Sequence, residues 1–279
     1  ARSGALPLSF AQQRLWFLDL LEPDSPRYNI PAAVRMAGAL DVTALERALA
    51  ELVQRHESLR TCFPADASGN PVQAVTPTAE VPLGRVDLSS LSAEHRGEEV
   101  ARLAREEALR PFQLAHGPLL RTTLLRLAET EHVLLLTMHH IVSDGWSMGV
   151  LVREVAELYR AFQAGQPSPL PALAVQYADF AAWQRGWLKD GALEQQLAYW
   201  REQLAGAPQV LELPADHPSP PVQTSRGARV PVKLPRAVSA ALVRWGIARE
   251  RRPSWCCSPA SRRCCTATRV RTTSWWARP

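Results

Sequence analysis

The stretch Thr137-Met138-His139-His140-Ile141-Val142-Ser143-Asp144-Gly145-Trp146-Ser147 decides the reading of this chain. Immediately before it runs His132-Val133-Leu134-Leu135-Leu136, an apolar segment whose length and branched content suit a strand buried on both faces. Asp144 and Gly145 interrupt that run. Beyond them Met148, Val150, Leu151, Val155 and Leu158 recur at helical spacing, so the histidine pair is expected where a strand hands over to a helix. Such corners are common places for chemistry.

Side chains alternate along an extended segment, so His139 and His140 are expected on opposite faces and only one of them can look into a given cleft. An isolated pair of this kind is most simply a hydrogen-bonded core histidine beside a helix cap. The longer string H-H-x-x-x-D-G shifts the balance, because it places a histidine, a carboxylate four residues later and a glycine on one corner. It resembles the signature of nonribosomal peptide synthetase condensation domains, and its shorter H-x-x-x-D-G part is shared with chloramphenicol acetyltransferase and other thioester-dependent acyltransferases.

Three further strings carry the same resemblance in the same order. Ser9-Phe10-Ala11-Gln12-Gln13-Arg14-Leu15-Trp16 is similar to a first motif, S-x-A-Q-x-R-L-W, on a helix expected over Leu8 to Leu21 with Ser9 as N-cap. Arg55 to Phe63 is similar to R-H-E-x-L-R-T-x-F and ends a helix expected over Thr43 to His56, capped by Asp41 or Thr43. Tyr177 to Gln184 is similar to Y-x-D-(Y/F)-A-x-W-Q, and in it Phe180 and Trp183 are expected in the core. Between these lie a strand over Asn29 to Met36, short strands within Pro71 to Val86, and a charge-rich helix over Glu94 to Leu109. Leu119 to Arg126 and His132 to His140 are expected to pair as strands, and a proline-rich linker covers Gly165 to Pro171.

The resemblance implies an α/β (α+β) fold of the chloramphenicol acetyltransferase type. Two lobes enclose a tunnel that two carrier domains approach from opposite sides. A first lobe over residues 1–170 is expected complete, and a second over 171–252 partial. The implied reaction is attack by the amine of an acceptor aminoacyl thioester on the carbonyl of a donor aminoacyl or peptidyl thioester. His140 matches the catalytic histidine; an imidazole, ordinarily titrating near ~6.5, can accept the proton an ammonium must lose, or can orient the amine and stabilise the oxyanion. By the same resemblance Asp144 forms a bidentate ion pair with Arg60, Gly145 offers its backbone amide to substrate, and His139 supports the strand from behind. No intrinsic cofactor is implied, since phosphopantetheine arms come with the substrates. The implied partners are donor and acceptor carrier domains and an adjacent adenylation domain. The form HHIVSDGWS looks more like domains joining two L-residues than like epimerisation domains.

Composition is consistent with this and narrows the alternatives. The 279 residues are 46% hydrophobic, enough for a large core or two lobes. No apolar run approaches the ~20 residues of a membrane span, and no secretory h-region opens the chain, so a soluble cytosolic protein is expected. The net charge of +5 invites a nucleic-acid reading, but its distribution argues against one. Seven of the 32 basic residues and none of the 27 acidic ones lie from Arg251 onward, leaving 25 against 27 in the rest. A glycerolipid-type acyltransferase box, four residues between histidine and aspartate, is met by His139 and Asp144, yet the other three motifs speak against it. A free-standing acyltransferase using soluble coenzyme A shares the corner, and an inactive fragment or interaction module shares everything but the chemistry.

The tail from Pro253 stands apart. It holds Cys256, Cys257, Cys264 and Cys265, whereas Cys62 is alone in the body. Adjacent cysteines are poorly disposed to share an ion and no histidine follows, which argues against a zinc site or a disulfide framework. Back-translated with GC-rich codons and regrouped, the tail gives FMVLLAGFQALLHRYTGQDDLVVGT, a helix, turn and strand similar to what condensation domains carry here. A one-nucleotide frameshift near residue 252 is therefore expected, with no native-like structure over 253–279.

Overall fold

Strand β6, Glu131–His139, is covered along both faces, as an apolar run without alternation requires. In the computed structural model, which describes residues 6–78, 81–208 and 233–247, it is a central strand of a four-stranded sheet. Its neighbours are β1 (Asn29–Ala37) and β5 (Leu120–Ala128), both antiparallel to it, and β4 (Leu83–Asp87) adds to β5 in parallel. The register places Leu120 opposite Met138, Thr122 opposite Leu136 and Leu124 opposite Leu134. Alternation then sorts the side chains into two cores.

One core joins Leu120, Leu136 and Met138 to two helices, α2 (Val42–Arg55) and α4 (Gly145–Gln163), through Ala48, Leu52, Leu151 and Leu158. The opposite core joins Leu125, Val133 and Leu135 to Val100 and Leu103 of α3 (Ala93–Leu109). The sheet is therefore sandwiched between helices, and these layers are the expected α/β architecture. Asp41 and Ser92 cap α2 and α3 by accepting from the Ala44 and His95 amides. A two-stranded ribbon of β2 (Thr61–Cys62) and β3 (Ala74–Val75) follows α2 through a 3₁₀ turn, Glu57–Arg60.

Helix α1, Phe10–Leu21, starts on a full capping box: the Ser9 hydroxyl accepts from the Gln12 amide, and the Gln12 side chain accepts from the Ser9 amide. Helix α5, Tyr177–Trp187, is bonded to it. The Phe10 amide donates to Gln184 Oε1 at 3.1 Å, Arg185 Nε donates to the Leu8 carbonyl at 2.8 Å, and the Ser9 and Tyr177 hydroxyls lie 3.1 Å apart. The Gln176 side chain also bridges to the end of α2, donating to the Arg55 carbonyl and accepting from the Glu57 amide.

These bonds attach to the first unit, Ala1–Ala192, the helix expected to open a second lobe. The second unit, Leu193–Pro279, includes helices α6 (Leu193–Gln203) and α7 (Arg236–Ile247). The tail over 253–279 lies outside the described residues.

Phe180 and Trp183 depart from their expected core positions. Both are exposed, Trp183 to 59%, and they stand in a ladder of Tyr177, Phe180, Trp183 and Trp187 whose neighbouring ring centroids are 5.5 to 5.8 Å apart. Burial on α5 falls instead to Ala178 and Ala181, small side chains on a helix whose backbone packs against the 3₁₀ turn Glu57–Arg60.

Candidate active site

His139 and His140 leave the end of β6 on opposite faces. His139 is buried on the α3 side between the rings of Tyr28 and Phe112, whose centroids lie 6.3 and 6.1 Å from its own. Its Nδ1 accepts from the Ile141 amide at 3.1 Å, which places the proton of the neutral ring on Nε2. Burial pushes its pKa down to about 4, and the neighbouring His140 adds to the shift. His139 is thus a neutral wedge that shapes the turn.

His140 is exposed on the α2/α4 side, its backbone amide donating to the Tyr28 carbonyl at 2.8 Å. Beside it opens a cavity of about 530 Å³ within the first unit. Residues from all four sequence strings line this one cavity: Gln12 and Leu15 from the first, His56 and Leu59 from the second, His140 to Asp144 with Trp146 and Ser147 but not Gly145 from the corner, and Tyr177 with Phe180 from the fourth. Stretches more than a hundred residues apart in sequence therefore share one wall system.

The chain after His140 turns through Ile141 and Val142, both buried against Leu8, Leu15 and Phe63. Gln12 reaches across from α1 to donate to the Ile141 carbonyl at 3.4 Å. Asp144 then caps α4: its Oδ1 accepts from the Ser147 amide at 2.8 Å and the Ser147 hydroxyl at 2.7 Å. Those two bonds, the hydroxyl first, hold its carboxyl below the ordinary aspartate value.

The expected ion pair between Asp144 and Arg60 is not formed. Arg60 ends its 3₁₀ turn with its guanidinium bonded to the Thr76 carbonyl and 3.9 Å from Glu57, and it does not line the cavity. Local geometry explains this outcome. A carboxylate at an N-cap finds two donors three residues away, and Arg60 meets the end of β3, where Thr76 also donates twice to the Arg60 carbonyl.

Gly145, first residue of α4, has open space where a Cβ would stand and no left-handed φ, so nothing in the packing of the described residues demands glycine there. The next residue, Trp146, is 84% exposed at the cavity mouth. His56 and Trp146 line the cavity outside the expected set of site residues, and the sequence signal for His56 is its place in the second string. No group of three or more metal-ligating side chains gathers among the described residues. None of the described helices is long and apolar enough to cross a membrane.

On a sheet sandwiched by helices, a strand-to-helix corner thus presents one histidine to a cavity. The chain belongs to the condensation domain family, whose profile matches residues 2–246, and with it goes the chloramphenicol acetyltransferase-like fold. It is 53% identical over 227 residues to a linear gramicidin synthase of Brevibacillus parabrevis, covering 81% of this chain and 3% of that protein. With phosphinothricin tripeptide synthetase PhsC of Streptomyces viridochromogenes it is 47% identical over 239 residues, 86% of this chain and 22% of that one.

Among solved structures, the X-domain from teicoplanin biosynthesis superposes with a TM-score of 0.77 at 32% identity, covering 90% of this chain and 55% of that chain. The first condensation domain of the calcium-dependent antibiotic synthetase, in complex with a substrate analogue, gives a TM-score of 0.67 at 29% identity, covering 74% and 49%. The chain thus spans about half the length of these structural relatives and a small part of the synthetases.

Proposed function

We propose that this chain carries the catalytic histidine of a condensation domain and serves peptide-bond formation in nonribosomal peptide synthesis. The supporting observation is the convergence of all four sequence strings on the cavity beside His140. In this reading an acceptor aminoacyl thioester and a donor aminoacyl or peptidyl thioester meet there. Each is carried on the phosphopantetheine arm of a carrier domain, and an adenylation domain is the adjacent partner. The acceptor nitrogen attacks the donor carbonyl, the C–N bond forms, the C–S bond breaks and the donor arm leaves as a thiol. His140 takes a proton from the attacking nitrogen and passes it to the departing sulfur. His139 and Asp144 hold the turn, one as a buried neutral acceptor and the other as a helix cap. In the same reading Gly145 offers its backbone amide to substrate, and Arg60 acts at a distance by fixing the ribbon beside α2. The reaction takes place in the cytosol.

A second reading follows from length. The structural relatives are about twice as long, and the exposed Trp146 and α5 aromatics leave apolar surface uncovered, so the chain is alternatively an inactive piece of such a domain. The test gives the chain donor-loaded and acceptor-loaded carrier proteins. Formation of a dipeptidyl thioester, lost in His140→Ala, supports catalysis. Absence of product from this chain alongside product from a longer in-frame chain supports the fragment, and turnover of free acyl-coenzyme A with a small alcohol replaces both readings.

A further inference from the structure

His140 is not the only imidazole on the cavity. His56, the residue that ends α2, lines it as well, and its ring is held from behind. Nε2 lies 2.6 Å from Glu154 Oε2, and Arg55 Nε stands 3.3 Å from the same oxygen. Glu154 is buried on α4 and pairs with the guanidinium as a carboxylate. A carboxylate only accepts, so Nε2 carries the proton and Nδ1 of the neutral ring is left with a free lone pair. Nδ1 makes no hydrogen bond within the described chain and is not among its buried unpaired atoms. A carboxylate behind one nitrogen and an unbonded second nitrogen, on a ring that lines a cavity, is the arrangement of an oriented proton acceptor.

The reaction leaves room for such a group. An acceptor arriving as an ammonium carries three N–H protons and ends as an amide with one. One proton leaves with the thiol, so a second must go elsewhere. A single histidine that shuttles from nitrogen to sulfur ends as it began and cannot hold the other.

We propose that His56, oriented by Glu154, is the group that accepts the first proton of the acceptor ammonium, and this rests on the condensation reading above. In this scheme R–NH₃⁺ and neutral His56 give R–NH₂ and the imidazolium. The free amine attacks, His140 moves the second proton to sulfur, and His56 later returns its proton to solvent. The charged and titratable groups around His56 are Arg55, Glu57 and Arg60 on its own stretch, Glu154 on α4, and Arg14, Tyr28, His140, Asp144 and Tyr177 around the cavity.

The experiment measures dipeptidyl thioester formation from loaded carrier proteins between pH 6 and 9.5, with the wild-type chain and with His56→Gln, His56→Asn and Glu154→Gln. A free α-amine titrates near ~7.7–8.0, so without His56 the rate should follow the fraction of amine already neutral. The expected result is a loss of about tenfold or more at pH 6.5 that shrinks below about twofold at pH 9. Nitrogen-15 spectra of the wild-type chain should show His56 protonated on Nε2, and that preference should be lost in Glu154→Gln. Profiles parallel to wild type in both His56 variants overturn the inference, as does an Nδ1-protonated His56 in the wild type. Failure of the wild-type chain at every pH overturns the condensation reading itself and this inference with it.

Discussion

Burial sets the charge of His139. With its folded pKa near 4, below the ordinary ~6.5, the unfolded chain binds more protons between those values, so stability falls as pH drops through that window and is level above it. The full effect is roughly 3 kcal/mol. Urea melts of wild type and His139→Asn at pH 7 and pH 4.5 check this. Asparagine keeps an acceptor for the Ile141 amide without titrating, so its loss on acidification should be smaller by about 2 kcal/mol. Asp144 shifts stability in the same direction, in a more acidic window. Its lowered pKa contributes stability above the ordinary carboxylate value, and that contribution disappears as pH falls through the folded one. Asp144→Ala should cost about 1 kcal/mol as a lost cap, with Asp144→Ser retaining most of it. Because Arg60 bonds Thr76 instead, Arg60→Ala and Asp144→Ala should be additive in a double-mutant cycle; coupling above about 1 kcal/mol would show that the pair forms after all. That His139 and His140 take opposite faces was legible from alternation. Which of them was buried required Tyr28 and Phe112, which come from elsewhere in the chain.

At the scale of elements, periodicity located most pieces within a residue or two. The helix expected from Ser9 is Phe10–Leu21, that expected from Thr43 to His56 is Val42–Arg55, and the strand pair is Leu120–Ala128 with Glu131–His139. Periodicity misjudged α5, since aromatic spacing reports one face of a helix and not whether another element covers it. The exposed ladder therefore predicts an inverted mutational ranking. Trp183→Ala should change stability by under about 1 kcal/mol, whereas Leu158→Ala, fully buried on α4, should cost about 2–5 kcal/mol in the same urea titration. Equal losses would mean that the ladder is covered in solution.

For the whole molecule, the family profile stops at residue 246, and the cysteine- and arginine-rich tail follows it. The expected frameshift is checked by the coding DNA around residue 252. The alternative frame should encode the helix, turn and strand peptide, and a frame that does not encode it removes the explanation. Restoring that frame in a longer chain should also reduce binding of a hydrophobic dye, as the exposed aromatics of α5 and Trp146 become covered.

The amino-acid sequence alone determined the layered α/β class, the corner carrying His140 and the family, because these rest on local periodicity, turn chemistry and short strings of unusual composition. Tertiary structure decided which side chains face one another. It brought four distant strings to one cavity, turned Asp144 to its own helix and Arg60 to Thr76, and set Glu154 behind His56. Local pattern says which face of an element is apolar, but it carries no information about which of several available partners a charged side chain meets once the elements pack.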